Sequence, residues 1–293
     1  MLVDAFLVMT VTVWTMNVAA SQDPSSPDDE AFYIPLGDER FIATELTRGP
    51  WSADAQHAGP PAALLGRAVE LHAVPSPHPS RVSRMTFEIL RPVPLGELSV
   101  TTRSAEIGRS VERVDAALAD PSGRVVMRAS AVRIRVAPDS TPEAGDADKA
   151  LTMPGPQDCA PSPFYPVPWT TGYHTAMEFR FAHGAFLERG PAMAWFRMRV
   201  PLVLGEETSG LCRVLTAADS GNGISSELDI NHYLFVNTDL NVHLRRVPVG
   251  EWVGLDSRTT IDTGGIGLTD SLLLDEQAAI GRASQSLFIA QRQ

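Results

Sequence analysis

The stretch Arg91-Pro-Val-Pro-Leu-Gly-Glu97 returns as Arg245-Arg-Val-Pro-Val-Gly-Glu251, 154 residues further along the chain. A second pair keeps the same spacing: Arg128-Ala-Ser130 returns as Arg282-Ala-Ser284, again 154 residues on. Two landmarks that hold one offset mark a duplicated unit. The chain has 293 residues, 44% of them hydrophobic, which is enough to bury one large core or two medium ones.

Around the landmarks both copies read alike. In the first, Met85, Phe87 and Ile89 alternate with Thr86 and Glu88, the pattern of a half-buried strand. Leu98, Val100 and Thr102 alternate next, then Val114, Ala116 and Leu118, with a turn at Asp120-Pro-Ser-Gly123. Val132, Ile134 and Val136 then alternate with Arg133 and Arg135. The second copy repeats this with Val242 and Leu244, Trp252 to Ile261, Leu268 to Leu274, and Ala283 to Ile289. One helix precedes each run. The first opens at Gly59-Pro60-Pro61, because proline suits a first helical turn, and Leu64, Ala68 and Leu71 line one face. The second is capped by Ser209, runs through Ala218, and can end at Gly221. One helix followed by an antiparallel meander is the hotdog order, in which the sheet wraps the helix. The expectation is therefore an α+β double hotdog.

Composition shifts divide the chain. Residues 1–31 read as a disordered or mis-assigned N-terminal extension, 32–136 as the first repeat, 137–163 as a Pro-rich acidic linker, and 164–293 as the second repeat. Met1 to Ala20 is apolar, but it lacks a basic n-region and carries Asp4, so a start at Met9 or Met16 competes with a signal peptide. Thr10, Thr12, Thr15 and Asn17 interrupt it too often for a spanning helix, and no membrane partner is expected.

The net charge of −11 argues against nucleic acid. Much of it is carried by residues 1–30 and by the linker, 137–163, so the folded body does not strongly repel an anionic ligand. Lys149 is the one lysine; every other basic residue is Arg. Cys159 and Cys212 form neither a disulfide scaffold nor a metal spacing, which predicts reduced thiols and a cytoplasmic location. No metal or cofactor is expected, and a homo-oligomer is left open.

Three segments together resemble the bacterial acyl-CoA thioesterase II (TesB-like) family, in its actinobacterial branch. They are Gln56-His-Ala-Gly-Pro-Pro-Ala-Ala63, the two Arg…Pro-[Leu/Val]-Gly-Glu turns, and Asn237-Thr-Asp-Leu-Asn-Val-His-Leu244. The resemblance covers residues 32–289 and implies hydrolysis of acyl-CoA to CoA and a free acid without metal or cofactor. It implies a water oriented by an Asp, a Thr and a Gln of the second repeat. Asp219, in Ala217-Ala-Asp-Ser-Gly-Asn222, matches the Asp, and Gln285, in Arg282-Ala-Ser-Gln-Ser286, matches the Gln. The Thr position, two residues before Asp239, holds Asn237, with Thr238 adjacent.

The chemistry agrees with that set. Thioester hydrolysis needs a water held against the carbonyl carbon and donors for the oxygen that becomes negative. A carboxylate can take the water's proton and an amide can hold its second position. Asp219, Gln285 and Asn237 supply these groups. Pro60 and Pro61 lack N–H, which narrows oxyanion donors at the first helix to Gly59 and Ala62; Thr238 joins them as a substrate contact. The 154-residue offset aligns Gln285 with Ala131, so the amide exists in one half only.

Two other functions compete. The fold could bind acyl-CoA or an acyl group without turnover, or His57 could serve a hotdog hydratase or dehydratase. A single His before a helix reads first as a packing or hydrogen-bonding residue.

Overall fold

The computed structural model describes residues 31–74, 78–137 and 153–292. The first half contributes β1 (Tyr33–Gly37), β2 (Arg40–Ala43), α1 (Gly59–Leu71), β3 (Ser80–Ile89), β4 (Gly96–Ile107), β5 (Val111–Ala119) and β6 (Val125–Arg135). The second contributes α2 (Tyr173–Ala176), β7 (Met177–His183), β8 (Ala192–Met198), α3 (Gly210–Ala218), α4 (Gly221–Ile224) and β9 (Tyr233–Asn237). It ends with β10 (Asp239–Leu244), β11 (Trp252–Ile261), β12 (Ile266–Leu274) and β13 (Ala279–Gln291).

All strands join one sheet, in the order β1-β2-β4-β5-β6-β3-β10-β13-β12-β11-β8-β7, with β9 added against β13. The order is mirrored about the β3–β10 seam, where Glu88 faces Asp239 and Arg84 faces His243. Each half alone would leave β3 or β10 as an unpaired edge, and fusion removes both edges. The chain is a double hotdog, as the repeat predicts.

The two long helices pack antiparallel on one side of the sheet. The start of α1 meets the end of α3: a Cβ on Gly59 would lie 2.2 Å from the Thr216 carbonyl oxygen. At the other end, Ser209 Oγ donates to Glu70 Oε2 at 2.6 Å. Midway, a Cβ on Gly66 would lie 2.3 Å from Leu215 Cδ1. Glycine at 59 and 66 is therefore required by close approach, not by backbone conformation. The core fills the space between helices and sheet with Leu64, Leu65, Met85, Phe87, Leu118 and Met127 from the first half. Val214, Leu215, Leu255 and Leu273 fill it from the second.

Several local readings change. Along β6 the core-facing residues are Met127, Ala129 and Ala131, so the alternation Val132-Ile134-Val136 belongs to the outer side, and Ile134 is exposed. Arg133 instead points inward. It donates to the His72 carbonyl oxygen at 2.8 Å, serving the C-terminus of α1, and pairs with buried Glu112 at 3.2 Å. Gly221 does not end α3; the helix closes at Asp219, and Gly221 opens the single turn α4.

Residues 1–30, with the proposed signal peptide or misplaced start, lie outside the described residues, as do 138–152 of the stretch read as a linker. Residues 153–163 pack against the sheet. Met153 and Cys159 are buried beside Trp195 and Trp252. The Pro154 carbonyl accepts from Trp195 Nε1 at 2.7 Å, and the Pro156 carbonyl accepts from Arg180 at 2.9 Å. Proline lacks an N–H but keeps its acceptor, so a Pro-rich strip can still be tied down by donors from the sheet.

Candidate active site

The site is built where the start of α1 meets the end of α3. Ser209 caps α3 by accepting from Cys212 N at 3.1 Å, and the helix runs nine residues to Ala218. Asp219 follows as the C-cap, with φ −65° and ψ −18°. A carboxylate here faces the negative end of the helix dipole and needs donors. It has three. Asn237 Nδ2 donates to Oδ1 at 2.6 Å, Gln285 Nε2 donates to the same oxygen at 3.3 Å, and His57 Nδ1 lies 3.1 Å from Oδ2.

Each of these groups is placed by a separate element. Asn237 closes β9 opposite Leu287, and Gln285 lies on β13 opposite Thr269. Gln285 is 1% exposed and fully engaged: its Nε2 also donates to the Asp219 carbonyl oxygen at 3.0 Å, and its Oε1 accepts from Asn222 N at 3.2 Å. His57 precedes α1. Its ring lies flat on Tyr173, with centroids 3.8 Å apart and planes 5° from parallel. Tyr173 is fixed in turn by its hydroxyl, which donates to the Thr216 carbonyl oxygen at 3.0 Å and meets Ser220 Oγ at 3.0 Å.

Electrostatics follow from burial. Burial lowers the His57 pKa below its ordinary value, and the neighbouring Asp219 partly opposes this, so the ring is kept neutral near pH 7. Burial pushes the Tyr173 phenol far above its usual range, so it acts as a donor and a stacking surface. Cys212 also lies in the helix pair, but burial pushes its thiol up to about 12, which rules it out as a nucleophile at neutral pH.

Behind Gln285 runs a ladder of buried hydroxyls. Thr259 and Thr269 Oγ1 are 2.8 Å apart, Ser225 Oγ is 2.8 Å from Thr259, and Ser257 and Ser271 Oγ are 2.7 Å apart. Ser225, Ser257, Thr259, Thr269 and Ser271 are all buried.

Of the residues singled out by sequence, Asp219, Asn237 and Gln285 share one hydrogen-bonded cluster, and Gly59 adjoins it through His57. Two do not fit the roles expected of them. Ala62 N donates to the Ala58 carbonyl oxygen at 3.1 Å, so its N–H is already spent inside the helix. Thr238 is exposed, and its hydroxyl donates to the Ser286 carbonyl oxygen at 3.3 Å, outside the cluster. A concavity of 440 Å³ on the outer sheet face, lined by Thr86, Glu88, Arg103, Asp115 and Arg128, contains none of the cluster residues.

Two family models match in tandem: the acyl-CoA thioesterase N-terminal domain over residues 47–134 and the acyl-CoA thioesterase C-terminal domain over residues 156–289. The chain belongs to the acyl-CoA thioesterase family. The thioesterase shares its fold with solved structures of low sequence identity. A hot dog fold protein of Alicyclobacillus acidocaldarius matches with TM-score 0.68 at 12% identity, covering 91% of this chain and 98% of that one. The acyl-CoA thioesterase II TesB2 of Mycobacterium marinum matches with TM-score 0.62 at 14% identity, covering 88% and 96%. The tesB protein of Mycobacterium avium subsp. paratuberculosis gives 0.62 at 13%, covering 88% and 95%. No curated protein sequence matches the chain.

The thioesterase hydrolyses acyl-CoA thioesters, and its substrate is an acyl-CoA. Among the described residues no helix is long and apolar enough to cross a membrane. Sequence reasoning missed Tyr173, whose only local signal is Gly172 before a short turn. It read His57 first as a packing or hydrogen-bonding residue, with a base in a hydratase or dehydratase as the alternative, and nothing in the sequence points to a place beside Asp219.

Proposed function

We propose that the thioesterase carries out hydrolysis with Asp219 as the base for the attacking water and with Asn237 and Gln285 holding the carboxylate in place. The observation that carries this is the approach of both amides to Asp219 Oδ1, at 2.6 and 3.3 Å. Water oxygen attacks the thioester carbonyl carbon as its proton passes to Asp219. The oxygen that becomes negative takes the N–H of Gly59 at the positive end of α1. Collapse breaks the C–S bond, and the departing CoA sulfur takes the proton back from Asp219, leaving the free acid and CoA thiol. Asn237 stands where the family resemblance implies Thr, yet its longer side chain still reaches the carboxylate.

Beside the cluster, Tyr173, Phe179, Phe186 and Phe164 pack in tilted and edge-on contacts with centroid separations of 4.6 to 6.2 Å, an apolar surround in keeping with an acyl substrate. Free, buried Cys159 and Cys212 support residence in the cytoplasm. Thiol release from a panel of acyl-CoAs of graded chain length tests the reading. At least one member should be turned over. Saturable binding across the panel with no thiol released would make the chain an acyl-CoA binder instead.

A further inference from the structure

His57 Nδ1 has two neighbours that make opposite demands on it. It lies 3.1 Å from Gly59 N and 3.1 Å from Asp219 Oδ2. The amide can only donate, and an ionised carboxylate can only accept. A ring nitrogen carries either a lone pair or a proton, so it can satisfy one neighbour and not both.

With a lone pair on Nδ1, Gly59 is bonded and the carboxylate faces a second lone pair. That arrangement is tolerated only if Asp219 is protonated, and a protonated Asp219 cannot act as a base. With a proton on Nδ1, the ring donates to Oδ2 and Gly59 loses its acceptor. The rest of the first turn offers no substitute donor, since Pro60 and Pro61 have no N–H and Ala62 N is bonded to Ala58.

We propose that His57 is a positioning residue held in the neutral Nδ1–H tautomer, where one proton both orients the Asp219 carboxylate and leaves Gly59 N–H unbonded for the thioester oxygen. This rests on the assignment of Asp219 as base. The surroundings hold the ring in that role. Tyr173 stacks on one face, 3.8 Å between centroids, and His57 N donates to the Thr47 carbonyl oxygen at 2.8 Å. The tautomer of an imidazole is set by the partner of its protonated nitrogen, and here that partner is a nearly buried carboxylate. A neutral ring suits the task better than Lys or Arg, because a fixed cation beside Asp219 would weaken it as a base.

Nitrogen-15 NMR of the His57 ring in the full chain at neutral pH tests this without a mutation. Protonated Nδ1 and bare Nε2 are expected; a bare Nδ1, or a doubly protonated ring, overturns the proposal. Variants give a second reading. An Asn side chain can place its amide nitrogen near Nδ1, whereas Gln reaches towards Nε2. His57→Ala should lower kcat by about 100-fold with KM changed less than about threefold. His57→Asn should recover at least about tenfold of that loss and His57→Gln none. Equal losses in all three variants with unchanged melting would contradict positioning through Nδ1. The outcomes separate this proposal from the one beneath it. Turnover that survives Asp219→Asn removes the base, whatever the tautomer. An Nε2–H ring alongside an inactive Asp219→Asn removes only the role given to His57.

Discussion

The inner faces of the two half-sheets share a plan and differ in chemistry. In the first half Ala131 is paired with Met85 and Val114; in the second, Gln285 is paired with Thr269, which faces Thr259. One step along, Ala116 lies between Thr102 and Ala129, while Ser271 lies between Ser257 and Ala283. At the third step the halves converge again: Leu118 between Val100 and Met127, Leu273 between Leu255 and Gly281. On the other side of Gln285 the halves differ the other way: inward Arg133 and buried Glu112 in the first correspond to Leu287 and Gly267 in the second. A polar inner face is tolerable only if every hydroxyl and amide finds a partner, and the paired ladder of the second half meets that condition. The duplicated fold therefore builds one asymmetric hydrogen-bonded cluster, where the proposed site lies. The first half supplies Gly59 and His57 from the start of α1, and the second supplies the carboxylate and amides.

Making the halves alike should break the site. Gln285→Ala copies Ala131 into the second half and should lower kcat by at least about 100-fold, because the carboxylate loses a brace and Asn222 N its acceptor. Thiol-release kinetics check this, and turnover within about threefold of wild type would take the amide out of the account. The converse change, Ala131→Gln, puts an amide among apolar neighbours at a fully buried position. It should cost about 2–3 kcal/mol in urea denaturation and leave kcat near its original value. No loss of stability would mean that the surroundings of position 131 can satisfy an amide after all. Thr269→Val removes one rung of the ladder at nearly constant shape and leaves Thr259 with Ser225 as its remaining hydroxyl partner. A loss of about 1 kcal/mol is expected, with turnover reduced less than about tenfold.

The fold was legible because it is written twice. The repeated Pro-Gly turns and the period-2 runs locate β3 to β6 and β10 to β13, and the Ser209 cap locates α3 to the residue. The outer strands were not seen. β1 and β2 are five and four residues long, and they meet at Asp38 and Glu39, with φ 51° and 54°. Gly37, with φ 84°, and Asp38 do mark a turn there, but strands of five and four residues are too short for their alternation to stand out. The face that Val132, Ile134 and Val136 line was not legible for a different reason. Alternation shows that two faces differ, but not which one meets the helix, and Arg133 is spent on the end of α1. At the site, Asp219, Gln285 and Asn237 were singled out by the family resemblance, and their residue types suit the holding of a water. The engagement of Ala62 N within the helix and the stacking of Tyr173 on His57 arise from contacts between distant segments, which local spacing does not carry.

The central claim is that the carboxylate at the end of α3 takes the proton of the attacking water. Asp219→Asn tests it most directly, because an amide can keep much of the local hydrogen bonding but cannot act as a base. Thiol release from the best acyl-CoA should fall by at least about 100-fold while the melting temperature stays near that of the wild type. Wild-type turnover in a variant that melts normally would contradict the account.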